Sequence, residues 1–143
     1  MKELVTANVP QETAVGFMTG GNALFTVKSL VTGTRFTYKI LKDNNAYGVF
    51  KVSFLYGKDN TKDYREIGNV MKVGEEFFYM SKDSYKKVIQ SITFEYIFIR
   101  LMLKKVIPNL EIWHEGRCCR CGRVLTVPES IAMGIGPECA FKQ

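Results

Sequence analysis

The run Leu24-Phe25-Thr26-Val27-Lys28-Ser29-Leu30-Val31, the pair Thr32-Gly33 and the run Thr34-Arg35-Phe36-Thr37-Tyr38-Lys39-Ile40 decide the fold. Two stretches rich in β-branched and aromatic side chains flank a turn that contains glycine, which is the pattern of a β-hairpin. Side chains alternate between faces along a strand, so Phe36, Tyr38 and Ile40 share one face while Arg35, Thr37 and Lys39 share the other. One face is suited to a core, and the other is basic.

Working outward, residues 47–56 alternate in the same way, with Phe50, Val52, Phe54 and Tyr56 opposite Val49, Lys51, Ser53 and Leu55. Gly57-Lys58-Asp59-Asn60 then supplies turn chemistry. Shorter strands are expected over 64–73 and 76–80, separated at Gly74, which makes an antiparallel sheet of four or five strands. Upstream, Pro10-Gln11-Glu12-Thr13-Ala14 and the stop Gly20-Gly21 predict a short helix over 10–20. From 88 to 107 the period becomes helical. Spacing residues by 100° gathers Val88, Ile89, Ile92, Tyr96, Ile99, Leu103, Val106 and Ile107 into one arc, expected to pack on the sheet. Phe94, Ile97, Phe98, Leu101 and Met102 then lie on the remaining surface, which is more apolar than solvent favours. Phe94, Phe98 and Leu101 are accordingly expected to meet a partner: the C-terminal segment folding back, a second copy of the chain in a homodimer, or another protein.

The chain has 143 residues, 46% of them hydrophobic, and a net charge of +6. That length allows one core of ordinary size plus a small appendage. The opening Met1-Lys2-Glu3-Leu4-Val5-Thr6 has no apolar signal-like stretch, so a cytoplasmic location is expected. Glu95, Arg100, Lys104 and Lys105 interrupt the most apolar segment, which argues against a membrane span. From Pro108 onward four bases balance four acids, whereas upstream 16 bases face 10 acids. The basic field therefore belongs to the larger part and favours polyanionic partners.

All four cysteines and the single histidine fall between residues 114 and 139. Cys118 and Cys121, followed by Gly122, have zinc-knuckle spacing, and Cys139 follows the glycine-rich Gly134-Ile135-Gly136-Pro137-Glu138. His114 is preferred to Cys119 as the fourth ligand, because Cys119 sits between the knuckle cysteines and should point away from a metal they share. One nitrogen and three sulfurs suit a structural Zn²⁺. Disulfides and free buried thiols are the competing readings; adjacent Cys118 and Cys119 make a poor disulfide framework in a cytoplasmic chain. A zinc deaminase would need His-x-Glu and Pro-Cys-x-x-Cys, and neither spacing occurs. The expected fold class is thus α+β: an antiparallel β-sheet packed by one long helix, followed by a small zinc-knuckle module. An α+β basic domain is expected over 1–107 and a zinc-binding module over 108–143.

Gly116-Arg117-Cys118-x-Arg120-Cys121-Gly122-Arg123-x-Leu125-Thr126-x-Pro128-Glu129-Ser130-Ile131, closing on Gly134-Ile135-Gly136-Pro137-Glu138-Cys139, resembles the small zinc-knuckle domains of uncharacterised function in bacteriophage and prophage proteins. Thr32-Gly33-Thr34-Arg35-Phe36-Thr37-Tyr38, with Gly57-x-Asp59-Asn60 and Asp63-Tyr64, is similar to the larger domain that often precedes that module. The resemblance implies a phage or prophage origin, life inside a bacterial host, and Cys118, Cys121 and Cys139 as ligands. It implies no activity.

Two functions follow as expectations. The first is non-enzymatic binding of nucleic acid, with Lys28, Arg35, Lys39 and Lys51 tracking phosphates and Arg117, Arg120 and Arg123 adding contacts. The second is a phage counter-defence protein, such as an anti-CRISPR, that inhibits a host nuclease or defence complex by protein–protein binding through the stripe of Phe94, Phe98 and Leu101 or through the sheet edge. A virion or assembly component ranks below both. With one histidine, already assigned to zinc, and no nucleophile motif or phosphate-cradling loop, catalysis is not expected.

Overall fold

The structure, a computed structural model, describes residues 7–59 and 62–114. Its element order is β1 (Ala7–Asn8), α1 (Gln11–Met18), β2 (Asn22–Ser29), β3 (Arg35–Lys42), β4 (Val49–Leu55), β5 (Tyr64–Val73), β6 (Glu76–Ser81), a 3₁₀ turn (Asp83–Tyr85), α2 (Ile89–Met102) and β7 (Leu110–His114). Every strand pairing is antiparallel, and the order across the sheet is β1-β7-β2-β3-β4-β5-β6. The fold is α+β, a curled antiparallel sheet with two helices.

The hairpin forms where the alternation placed it. Phe25 faces Tyr38 and Val27 faces Phe36, and the connection closes through Gly33 at φ +75°, a backbone that glycine adopts without steric cost. The register between β4 and β5 shifts at Val52/Ser53, and an irregularity of this kind bends the strand and increases its twist. The concave face so formed buries Ala23, Phe25, Val27, Tyr38, Ile40, Phe50, Val52, Phe54, Ile67, Val70 and Ile112.

The α2 helix covers that face, in an orientation opposite to the expected one. Phe94, Phe98 and Leu101 are buried, at 1%, 1% and 6% exposure, whereas Ile89, Ile92, Tyr96, Ile99 and Leu103 are about half exposed. Phe94, Phe98 and Leu101 are therefore core residues and do not form the expected outward partner surface. The helix is apolar on both sides, so period alone left two arcs to choose between, and shape decides. Phe94 packs 5.3 Å from Tyr38 and 4.9 Å from Tyr79, centroid to centroid. Ser91, also buried, lets the helix approach and takes part in a hydroxyl chain with Tyr79 at 2.7 Å and Ser81 at 3.0 Å. The helix ends at Met102, five residues before the expected 107, where Lys104 takes φ +57°.

Residues 110–114, expected to open the module over 108–143, form β7, inserted between β1 and β2. The Gln11 side chain holds the approach to this strand: its Nε2 donates to the Ile107 carbonyl at 2.9 Å and its Oε1 accepts from the Ile107 N–H at 2.8 Å. Among the described residues the strand count rises from the expected four or five to seven because β1 and β7 join the hairpin from distant parts of the chain. No described helix is long and apolar enough to cross a membrane.

Candidate nucleic-acid interface

Strand alternation sends the other side chains of β2, β3 and β4 to the convex face, which neither helix covers. The pairings arrange them in rows across the sheet. One row runs Glu111, Lys28, Arg35; the next runs Trp113, Thr26, Thr37; then Leu24, Lys39, Ser53, Glu66; then Leu41, Lys51, Asn69, Met80. Lys28, Arg35, Lys39 and Lys51, nominated from sequence, thus share one face.

The geometry of this face is specific. Thr26 and Thr37 join their hydroxyls at 2.7 Å and tie the two central strands together. Lys39 holds its ammonium 5.0 Å from the centroid of the Tyr64 ring, an attraction between cation and ring quadrupole. Lys28 lies directly opposite Arg35, a like-charge pair that costs stability; Glu111, on its other side, offsets part of that cost. Glu66 is engaged by Lys82 at 3.4 Å. Among the described residues none of the four cations is held in a salt bridge, so the face keeps a positive excess. Trp113 and Tyr64 add half-buried aromatic rings to it. Both escaped the sequence reading. The alternation Glu111-Ile112-Trp113-His114 was the signal for Trp113, and the expected strand over 64–73 already contained Tyr64.

The remaining nominated residues do not join this face. Arg117, Arg120 and Arg123 lie outside the described residues, as do Cys118, Cys119, Cys121 and Cys139. His114 is fully buried. It sits in β7 opposite Phe25, with its ring 5.9 Å from that of Phe17, and serves as a core residue of the sheet. The expected zinc is corrected: among the described residues no group of three or more His, Cys, Asp or Glu side chains could hold a metal ion. The anti-CRISPR reading loses its support as well, since the helical stripe of Phe94, Phe98 and Leu101 expected to make its contact is buried.

A cleft of about 460 Å³ opens between β6 and the start of α2, lined by Tyr79, Ser81, Asp83, Lys86, Ser91 and Glu95 among others. Its hydroxyls are engaged with one another, and Asp83 pairs with Lys86 at 3.1 Å. Burial in the core behind it pushes the Tyr38 and Tyr79 phenols up from their ordinary range.

Residues 112–143 match a family of unknown function (DUF6011). The match starts inside β7, so the first residues of the matched segment, Ile112, Trp113 and His114, belong to the sheet. No curated protein and no solved structure matches the chain.

Proposed function

We propose that this protein binds nucleic acid, without catalysing a reaction, through the helix-free convex face of its sheet. The observation that carries the reading is the register: it sets Lys28 beside Arg35 and places Lys39 and Lys51 on the same side, with no described salt bridge on any of them. A sheet face that carries cations and aromatic rings suits single strands, whose phosphates run along the charges while unstacked bases lie on the rings. Trp113 and Tyr64 supply the rings, Tyr64 with the Lys39 ammonium 5.0 Å from its centroid. The like-charge pair Lys28–Arg35, at the hairpin end of β2 and β3, favours this reading over a merely solvated surface, since like charges directly opposite each other lower stability.

The test is a titration of a fluorescent single-stranded oligonucleotide at several salt concentrations. Affinity should fall as salt rises, and the double substitution Lys28→Ala with Arg35→Ala should reduce the slope of log K against log salt by about 1.4, two single-strand contacts' worth. Trp113→Ala should weaken binding by about 1–3 kcal/mol without changing that slope. Absence of binding to DNA and RNA at low salt would remove the proposal.

A further inference from the structure

We propose that two copies of this chain associate through the solvent face of α2, with the two helices parallel about a two-fold axis. Ile89, Ile92, Tyr96, Ile99 and Leu103 recur at alternating steps of three and four, the spacing of a coiled-coil seam. All five lie opposite the buried arc of Phe94, Phe98 and Leu101, and their exposures run from 48% to 60%. A contiguous strip of this kind differs from scattered surface apolar residues and marks a contact surface.

Charge settles what covers it. On the helical wheel Glu95 stands on one flank of the strip and Arg100 on the other. Arg100 is folded inward, with its guanidinium 4.4 Å from the Tyr96 ring centroid. A parallel two-fold arrangement brings each Glu95 flank against the partner's Arg100 flank, at the five-residue offset that joins such positions in parallel pairs. An antiparallel arrangement would set Glu95 against Glu95 and Arg100 against Arg100. The strip is therefore self-complementary in one orientation only, which selects a second copy over an unrelated partner. Because α2 lies on the concave side, the pair leaves both convex faces outward, and the inference stands whether or not those faces bind nucleic acid.

Sedimentation velocity on nuclease-treated protein across a concentration series tests it. The wild-type chain should reach a dimer in a concentration-dependent way. Ile99→Glu should raise the dissociation constant about tenfold or more while leaving the melting temperature of the monomer unchanged, since the residue is half exposed. Glu95→Arg alone should weaken the dimer, and Glu95→Arg with Arg100→Glu should restore it, an exchange that only the parallel arrangement rewards. A chain that stays monomeric at roughly 100 µM, or a dimer indifferent to Ile99→Glu, overturns the proposal; failure of the double exchange to restore association overturns the parallel geometry.

Discussion

Tyr38 shows how much a single side chain can carry. Its ring lies between Phe25, at 5.8 Å, and Phe94, at 5.3 Å, and its hydroxyl donates to the Gln90 carbonyl at 2.6 Å. One residue thus ties sheet to helix through both dispersion and a hydrogen bond. Burial, reinforced by the nearby Tyr79, raises its phenol well above the ordinary value. Tyr79 is raised as well, by its own burial and then partly lowered by the hydroxyls of Ser91 and Ser81. An acid whose folded pKa is raised holds its proton more tightly when folded. Its contribution is complete below the unfolded value near pH 10 and is lost as pH climbs above it. Denaturant midpoints should stay level up to about pH 9 and fall above pH 10, and Tyr38→Phe should flatten that fall while costing about 1 kcal/mol at neutral pH. Gly68 is constrained differently: a Cβ there would run into the Met80 carbonyl oxygen and lie 2.9 Å from the Tyr79 ring. Gly68→Ala should lower stability by about 1–3 kcal/mol in urea unfolding. His114 carries the lesson for reading single residues. Its place near four cysteines suggested a ligand, yet Ile112 and His114 alternate with Glu111 and Trp113 as a half-buried strand, and the pairing of β7 turns His114 inward.

At the scale of elements, what was legible depended on how local the decisive partners are. The hairpin β2–β3 and the strands β4 to β6 form a meander in which each strand pairs with its sequence neighbour, so alternation and turn residues were enough. β7 has five residues, and its partners β1 and β2 lie far upstream; nothing within Leu110–His114 names them. The four basic residues of the candidate interface were legible for the same reason as the meander, because they ride on its alternation. The orientation of α2 was not, because both of its arcs are apolar and only the shape of the curled sheet discriminates between Ile and Phe. That choice can be measured. Phe98→Ala should cost about 3–5 kcal/mol, whereas Ile92→Ser, on the exposed arc, should move the stability of the isolated fold by no more than about 0.5 kcal/mol. Near-equal losses would show that the helix presents no preferred face to the sheet.

The whole molecule depends on a closure between distant parts of the chain. β7 supplies Ile112 and His114 to the core and fills the space between β1 and β2. A chain ended after Asn109 loses those side chains, uncovers the β2 edge and deprives the Gln11 amide of the Leu110 carbonyl. Such a chain should show no cooperative melting transition by circular dichroism. β2 also meets β7 only after some eighty further residues of sequence. During synthesis at about 5–20 residues per second, that interval lasts roughly 4–16 s. Through that time β3 can pair with one side of β2 while the other side offers unmatched backbone donors and acceptors to any neighbouring chain. Emergence of Leu110–His114 from the ribosome is therefore the step at which the nascent protein closes its β2 edge and leaves β6 and the short β1 as the borders of the sheet, and crowding of ribosomes on one message is the condition under which its yield should fall first.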